Sequence, residues 1–496
     1  MKIFISIISL FFITISFAQE QSEDSSLTYK KRVLETTEID FLSSYYTQDG
    51  DNAAVTGGIG TEKLTDFASD IVISIPLNDD DVLTINATIS AYTSASSSNL
   101  NPFDNSGASS GEDDDDDDDD DDDNNSTRKL NSKLASSVTG SPWVESTGES
   151  QKDVWVNGNV GYSHSSDDRN RIWSANLNFA NEYDYTSFGF GGSHTWLFNE
   201  KNTEFGVKGN AFFDTWNPEY PTELDSYLEA DKNLNNGFFN NISILNQNGN
   251  VIDKDGTEVW NPNKYSYIED KSRNTFSLSL SFSQILSKNA QFSIFLDLVQ
   301  QKGWLGSPLQ RVYFGDRSNF YVGNASSIPN YRSSSNKDVF QLADDIERLP
   351  STRFKTPIGA RFNYYINETF VVKTYYRYYT DNWGVDSHTA EIEVPIKITD
   401  KFTLYPTYRY YTQTAADYFA PYEENLSTQE YYTSDYDLSS FDANQYGLGL
   451  KYTDIFTKIN FWKFKLKSAE IRYNHYDRST GLASDIISLG FKYLFE

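Results

Sequence analysis

The sequence predicts an all-β fold: a transmembrane, up-and-down antiparallel β-barrel of about sixteen strands, both termini periplasmic, with long extracellular loops. Three observations predict it. Segments of about ten residues or longer, enough for a tilted crossing, alternate apolar and polar side chains with a period of two. Aromatic residues reach 16% while hydrophobic residues total only 38%. That balance suits a barrel in which one residue in two faces lipid and aromatic girdles mark the interfaces. The connections alternate between very short and very long, as periplasmic turns and outer loops do.

The chain opens with Met1-Lys2, an apolar run from Ile3 to Phe17, and Ala18-Gln19. A positive start, a short apolar stretch and small residues at Ser16 and Ala18 read as a signal peptide, 1–18, cleaved after Ala18. The run is too short for a spanning helix, which needs about 20 apolar residues. Residues 19–36 are polar and contain Lys30-Lys31-Arg32; they read as a disordered periplasmic lead, with a short plug or docking segment as the alternative. The barrel should occupy 37–496.

Strands are expected near 37–47, 67–76, 82–92, 153–165, 171–183, 186–198, 203–213, 272–286, 289–301, 352–366, 368–381, 385–398, 401–413, 442–453, 464–477 and 483–495. The clearest alternation runs Phe276, Leu278, Leu280, Phe282 against Ser277, Ser279, Ser281. Leu83, Ile85, Ala87 and Ile89 alternate with Thr84, Asn86 and Thr88, and Trp173, Ala175, Leu177 and Phe179 with Ser174, Asn176 and Asn178. The last strand sets Ile487, Leu489, Phe491, Tyr493 and Phe495 against Ser488, Gly490, Lys492 and Leu494. It resembles the signal read by the outer-membrane assembly machinery, with the departure that Glu496 follows the terminal aromatic. With this count every long connection falls on one side.

Among the loops, residues 113–123 are uninterrupted Asp. Such a run repels itself and cannot pack, so a disordered acidic loop is expected near 104–150. Its carboxylates, Asp113, Asp115, Asp117, Asp119 and Asp121 among them, would at most capture calcium weakly and at many sites. No other cofactor is expected. The connections 214–271 and 303–351 differ, carrying Trp216, Pro218, Trp260, Pro262, Trp304 and Pro308. They should be ordered, with at least one entering the barrel mouth.

The inward rows change character along the chain. Early strands point Ser, Thr and Asn inward. Later strands place Arg353, Lys355, Arg361, Lys373, Arg377, Glu391, Glu393, Lys397 and Arg409 on the lumen face, because Arg or Lys facing lipid at the midplane costs roughly 2–4 kcal/mol. The segment Tyr376-Arg377-Tyr378-Tyr379-Thr380 recurs as Tyr408-Arg409-Tyr410-Tyr411-Thr412. Arg377 and Arg409 should therefore sit at similar height. Two Arg rows flanking Glu391 and Glu393 favour a salt-bridged wall; a basic strip that orients anionic solutes is the alternative.

Several classes are disfavoured. A net charge of −30 opposes nucleic-acid binding. The absence of cysteine removes disulfides, thiolate sites and a lipidated N-terminal Cys. Four scattered histidines, His164, His194, His388 and His475, sit without a zinc, serine-elbow or phosphate-loop motif. An enzyme is not expected.

Several stretches resemble a family of outer-membrane proteins of unknown function, domain of unknown function 3570. They are Tyr45-Tyr46-Thr47-Gln48-Asp49-Gly50, Ser94-Ala95-Ser96, Gly315-Asp316-Arg317, Arg348-Leu349-Pro350-Ser351-Thr352-Arg353, Tyr378-Tyr379-Thr380-Asp381-Asn382-Trp383, Tyr418-Phe419-Ala420-Pro421-Tyr422 and Tyr432-Thr433-Ser434-Asp435-Tyr436-Asp437-Leu438-Ser439. The resemblance implies an outer-membrane barrel, in the company of a small lipoprotein and extracytoplasmic redox proteins, and brings no catalytic residues. The expectation is a channel or conduit partly closed by inward-folded loops; the alternative is a scaffold holding such a lipoprotein or redox partner.

Overall fold

The computed structural model describes residues 32–93, 140–145, 152–454 and 456–495. The segment read as a signal peptide, most of the polar lead, and Asp113, Asp115, Asp117, Asp119 and Asp121 lie outside them. Period-two alternation becomes sixteen antiparallel barrel strands. They are β1 (Thr37–Asp49), β2 (Leu64–Pro76), β3 (Asp81–Thr93), β4 (Lys152–Ser165), β5 (Arg171–Asn181), β6 (Tyr185–Phe198), β7 (Thr203–Trp216) and β8 (Ser272–Ser287). The second half comprises β9 (Ala290–Gly303), β10 (Thr352–Lys355 and Ile358–Tyr365), β11 (Val371–Thr380), β12 (Asp386–Glu393 and Ile396–Lys397), β13 (Phe402–Gln413), β14 (Phe441–Thr453), β15 (Phe464–Arg478) and β16 (Ala483–Phe495).

Each strand pairs with its sequence neighbours, and β16 closes on β1 from Thr37↔Phe495 to Asp49↔Ala483. Closure leaves no unpaired edge, the condition for strands to cross lipid. Along every strand one row faces outward and stays exposed: Phe67, Ile89, Leu177, Phe188, Leu278, Tyr376, Leu448, Ile471 and Ile487 belong to it. This is an apolar band with no protein partner, as a lipid-facing surface requires.

Two strands break where proline removes a ladder donor. Pro357 divides β10 and Pro395 divides β12. The wall stays sealed at Pro357, because its carbonyl accepts from Asp297 N at 2.9 Å and Thr356 N donates to Thr380 O at 2.8 Å.

The described termini and the short turns share one end. One connection there, 454–463, is longer. Asn460–Phe461 pairs back on Phe464 and Lys465, leaving Phe456, Ile459, Phe461 and Trp462 highly exposed.

At the other end the long connections fold together. Residues from 217–271, 304–351 and 414–440 share a core that includes Leu224, Phe239, Ile244, Trp260, Val322, Phe340, Ile346 and Tyr422. A three-stranded sheet (Ile244–Asn246, Phe320–Gly323, Val339–Gln341) and the helix Thr222–Glu229 lie within this cap. The tryptophans and prolines of these connections mark that packing: Trp260 is fully buried and its Nε1 donates to Ala343 O at 3.0 Å.

Candidate functional site

The barrel interior was built by the rows opposite the lipid-facing ones. Across β4 to β6 they are largely neutral and bonded across strands. Against the expectation of Ser, Thr and Asn alone in the early strands, β1 and β2 carry Glu38, Asp40, Asp66 and Asp70, and β7 carries Lys208 and Asp214. Ser174 meets Ser193 at 2.7 Å, Asn178 donates to Asn157 at 2.9 Å, and Asn210 to Ser277 at 3.2 Å.

The second half carries charge. A cavity of about 600 Å³ is lined by Arg361, Asn363, Lys373, Tyr375, Arg377, Thr389, Glu391, Glu393 and Arg409, with Thr374 at its border. It brings together six of the nine charged residues read from the sequence. The other three sit outside it, Arg353 and Lys355 beyond Pro357 in β10 and Lys397 beyond Pro395 in β12.

Register decides which charges meet. Glu391 stands between Tyr375 on β11 and Arg409 on β13, and Glu393 between Lys373 and Thr407. Arg409 Nε accordingly lies 2.6 Å from Glu391 Oε2, and Lys373 Nζ 2.8 Å from Glu393 Oε1. Arg377 stands opposite Thr389 and Gly359. It is therefore one inward position removed from Arg409, and the two are not level. Among the described residues Arg377 has no carboxylate partner, and neither has Arg361. The expected bridging of both arginines holds only for Arg409. Lys397, opposite Thr403, pairs instead with Asp400 of the following turn at 2.7 Å.

Two arrangements were not legible in the sequence. Arg472 of β15 crosses β14 and β13 to place one guanidinium nitrogen 2.9 Å from Glu393 on β12. It does so over Gly449, where a Cβ would lie 2.9 Å from Arg472 Cγ, and over the Tyr405 ring at 5.0 Å. Glu470 and Lys451 continue this network. Farther along the wall, Lys492 bridges Glu38 (2.6 Å) and Asp40 (3.0 Å), and Lys467 also holds Glu38 at 2.8 Å. The bulge between Leu466 and Ser468 shifts the phase of β15, so simple alternation misassigns part of that strand. The second arrangement is a ring pair. Phe295 and Tyr375 stack 5.8 Å apart at 10°, and the Arg361 guanidinium lies 5.6 and 5.4 Å from their centroids. Gly359 permits this, since any Cβ there would strike the Phe295 ring.

Of the stretches that carried the family resemblance, Ser94-Ala95-Ser96 lies outside the described residues, and several of the others prove to be joints. Arg353 bonds the buried Asp381, with Nε at 2.8 Å, and stacks on Trp383 at 4.3 Å; Tyr379 donates to the same carboxylate at 2.6 Å. Asp316 accepts from Ser427 N and Oγ, both at 2.8 Å. Arg478 at the outer end of β15 reaches Asp437 at 2.8 Å, and Gln310 donates to Asp435 at 3.2 Å. These last contacts border a cavity of about 500 Å³ between the cap and the inward-facing Tyr46, Gln48 and Tyr476.

Within the cap, Arg311 and Glu223 form a buried pair at 2.8 Å, and an Arg311 terminal nitrogen donates to Val55 O at 2.9 Å. This ties the β1–β2 connection to 217–271 and 304–351. Burial pushes the Glu62 carboxyl up to about 7 despite the Asn52 amide. Glu347 and Asp435 are raised in the same direction, first by burial and then by neighbouring carboxylates.

The histidines all project from the outward face. His164 contacts Asp81 at 2.6 Å, His388 contacts Tyr376 at 2.7 Å, His475 contacts Asp485 at 2.8 Å, and His194 packs 4.2 Å from Trp196.

Comparison with solved structures finds similar chains at low identity. A bacterial polysaccharide outer membrane secretin aligns over 93% of this chain and 99% of its own, at 8% identity and a TM-score of 0.41. A Pseudomonas aeruginosa FadL homologue aligns over 93% and 91%, at 9% identity and a TM-score of 0.38. OpdK of Pseudomonas aeruginosa, with vanillate, aligns over 92% and 98%, at 8% identity and a TM-score of 0.34. No curated protein matches the sequence. The family model described as "Protein of unknown function (DUF3570)" matches residues 5–486, nearly the whole chain, and the protein belongs to that family.

Proposed function

We propose that the protein is an outer-membrane channel for small polar solutes, its short turns and termini periplasmic and its outer mouth partly closed by the cap. The observation that carries this reading is the closed sixteen-strand wall whose inner rows are polar or charged along their length. An interior of ion pairs and hydroxyls suits hydrated solutes, and the Arg478–Asp437 contact anchors the cap against the inner wall.

The test is conductance of the purified full-length protein in planar bilayers, beside Arg478→Gln, which removes one tie between the cap and the wall. Discrete steps are expected, larger or more frequent for the variant. Silence from both proteins would remove the channel reading. The capped barrel would then be assigned as a holder of a small lipoprotein or extracytoplasmic redox protein, sought by co-purification from native membranes.

A further inference from the structure

The charged cavity is basic within an acidic protein. The whole chain carries −30, yet here four cationic side chains face two carboxylates. Those carboxylates are already occupied: Glu391 by Arg409, and Glu393 by Lys373 and Arg472. Arg361 and Arg377 are left over, both unpaired among the described residues. They sit on adjacent strands, diagonal to one another, because Arg361 opposes Tyr375 and Arg377 opposes Gly359. Diagonal neighbours on one face lie about 7–8 Å apart, within the span of two long side chains that converge on one small group.

We propose that Arg361 and Arg377 form a binding site for the oxyanion group of a small solute, a carboxylate or a phosphate. A guanidinium lying over a ring keeps its N–H edge free. That edge presents parallel donors matched to two oxygens of a carboxylate or phosphate. Arg361 is held this way by Phe295 and Tyr375, and Arg377 is 5.9 Å from the Tyr379 ring. Asn363 and Thr389 line the same cavity and supply neutral hydrogen-bonding groups. The neighbouring ion pairs hold the other cations in place, so a solute does not displace a carboxylate to reach these two. The proposal rests on the interior being a solute pathway, but equilibrium binding needs no conduction. A bilayer without steps would sink the channel reading and leave this site standing.

The experiment is titration of the refolded full-length protein in detergent. Inorganic phosphate is followed by ³¹P line broadening, and benzoate by saturation-transfer NMR with benzyl alcohol as its neutral counterpart. Saturable binding is expected for benzoate, phosphate or both, and the responding probe identifies the oxyanion. Arg361→Gln and Arg377→Gln should each weaken it roughly tenfold, the loss of one charge-assisted hydrogen-bonded contact. Arg377→Lys should bind between wild type and Arg377→Gln, since it keeps charge without the planar fork. Lys467→Gln, which removes equal charge from the far part of the wall where Lys467 holds Glu38, should bind as wild type does. Benzyl alcohol binding as well as benzoate, or equal weakening by Lys467→Gln, would overturn the proposal. Variant folding is checked by heat-modifiable gel mobility, and Arg377→Lys keeps the test open if a glutamine variant fails to fold.

Discussion

At the level of single residues, the interior assigns different work to chemically similar side chains. Arg409 and Arg377 occupy equivalent places in a repeated Tyr-Arg-Tyr-Tyr-Thr segment, yet among the described residues one is ion-paired and the other is not. The repeat fixes which face each arginine takes. The residue it meets depends on how β12 slides against its neighbours, and Thr389 rather than a glutamate arrives opposite Arg377. The buried Arg311–Glu223 pair shows the cost of such contacts. Both groups are almost fully removed from water, at 3% and 0% exposure, so either one alone would be an uncompensated charge. Arg311→Met should therefore destabilise the cap by about 3–5 kcal/mol. The double variant with Glu223→Leu should recover most of the loss. Protease cleavage within 217–271 and 304–351 measures both; an unchanged single variant would show that the pair contributes nothing.

Among the elements, the barrel strands were legible and the cap was not. A strand reveals itself by local alternation, since its two faces meet different solvents. Thus the Ser-alternating row of β8 and the Ser, Asn and Gly inward rows of β5 and β6 fall where the pattern places them, while Lys208 and Asp214 put charge on the inner face of β7. Strand breaks at Pro357 and Pro395 were less legible, because proline marks a lost donor without saying whether the wall opens or bulges. The cap has no period to read, its short strands and turns being assembled from three distant connections. Trp260 and Pro262 signalled order there, but only packing shows that Trp260 fills a core against Phe239 and Tyr227. The 454–463 hairpin is a smaller case. Its Trp462 lies 6.2 Å from Phe464, which in turn touches Phe495 and Tyr493 of the outward row. Lys463 lies over the Trp462 ring and Lys458 over that of the exposed Phe456. Aromatic and basic residues together suit the headgroup layer. Brominated lipids should quench part of the tryptophan emission after reconstitution, and Trp462→Phe should lose a measurable share of that quenching. Equal quenching in both proteins would place the hairpin clear of the bilayer.

Across the whole molecule, barrel and cap should respond differently to pH. The barrel is held by a closed hydrogen-bonded ladder that does not titrate. The cap and its junction with the wall bury Glu62, Glu347 and Asp435, all raised above the ordinary carboxylate range. A raised acid keeps its proton in the folded cap after the opened cap has released it. The folded form is then favoured at low pH and loses ground as pH rises from the ordinary carboxylate value towards the folded one, near 7 for Glu62. Hydrogen exchange in 304–351, corrected for its intrinsic pH dependence, should show a looser cap at pH 8 than at pH 5. The barrel's gel mobility should stay constant. A cap tighter at pH 8 would contradict the burial argument.

The sequence by itself determined the membrane barrel, its sixteen strands and the side on which the long connections gather. Each follows from a period-two pattern and loop lengths, which are local properties of the chain. Tertiary structure alone decided that Arg472 crosses two strands over Gly449, that three connections share one core, and that Arg361 and Arg377 stand without acidic partners among the described residues. Those outcomes depend on register and on contacts between residues far apart in sequence. A one-step change in pairing would leave the composition untouched and reverse which charges meet.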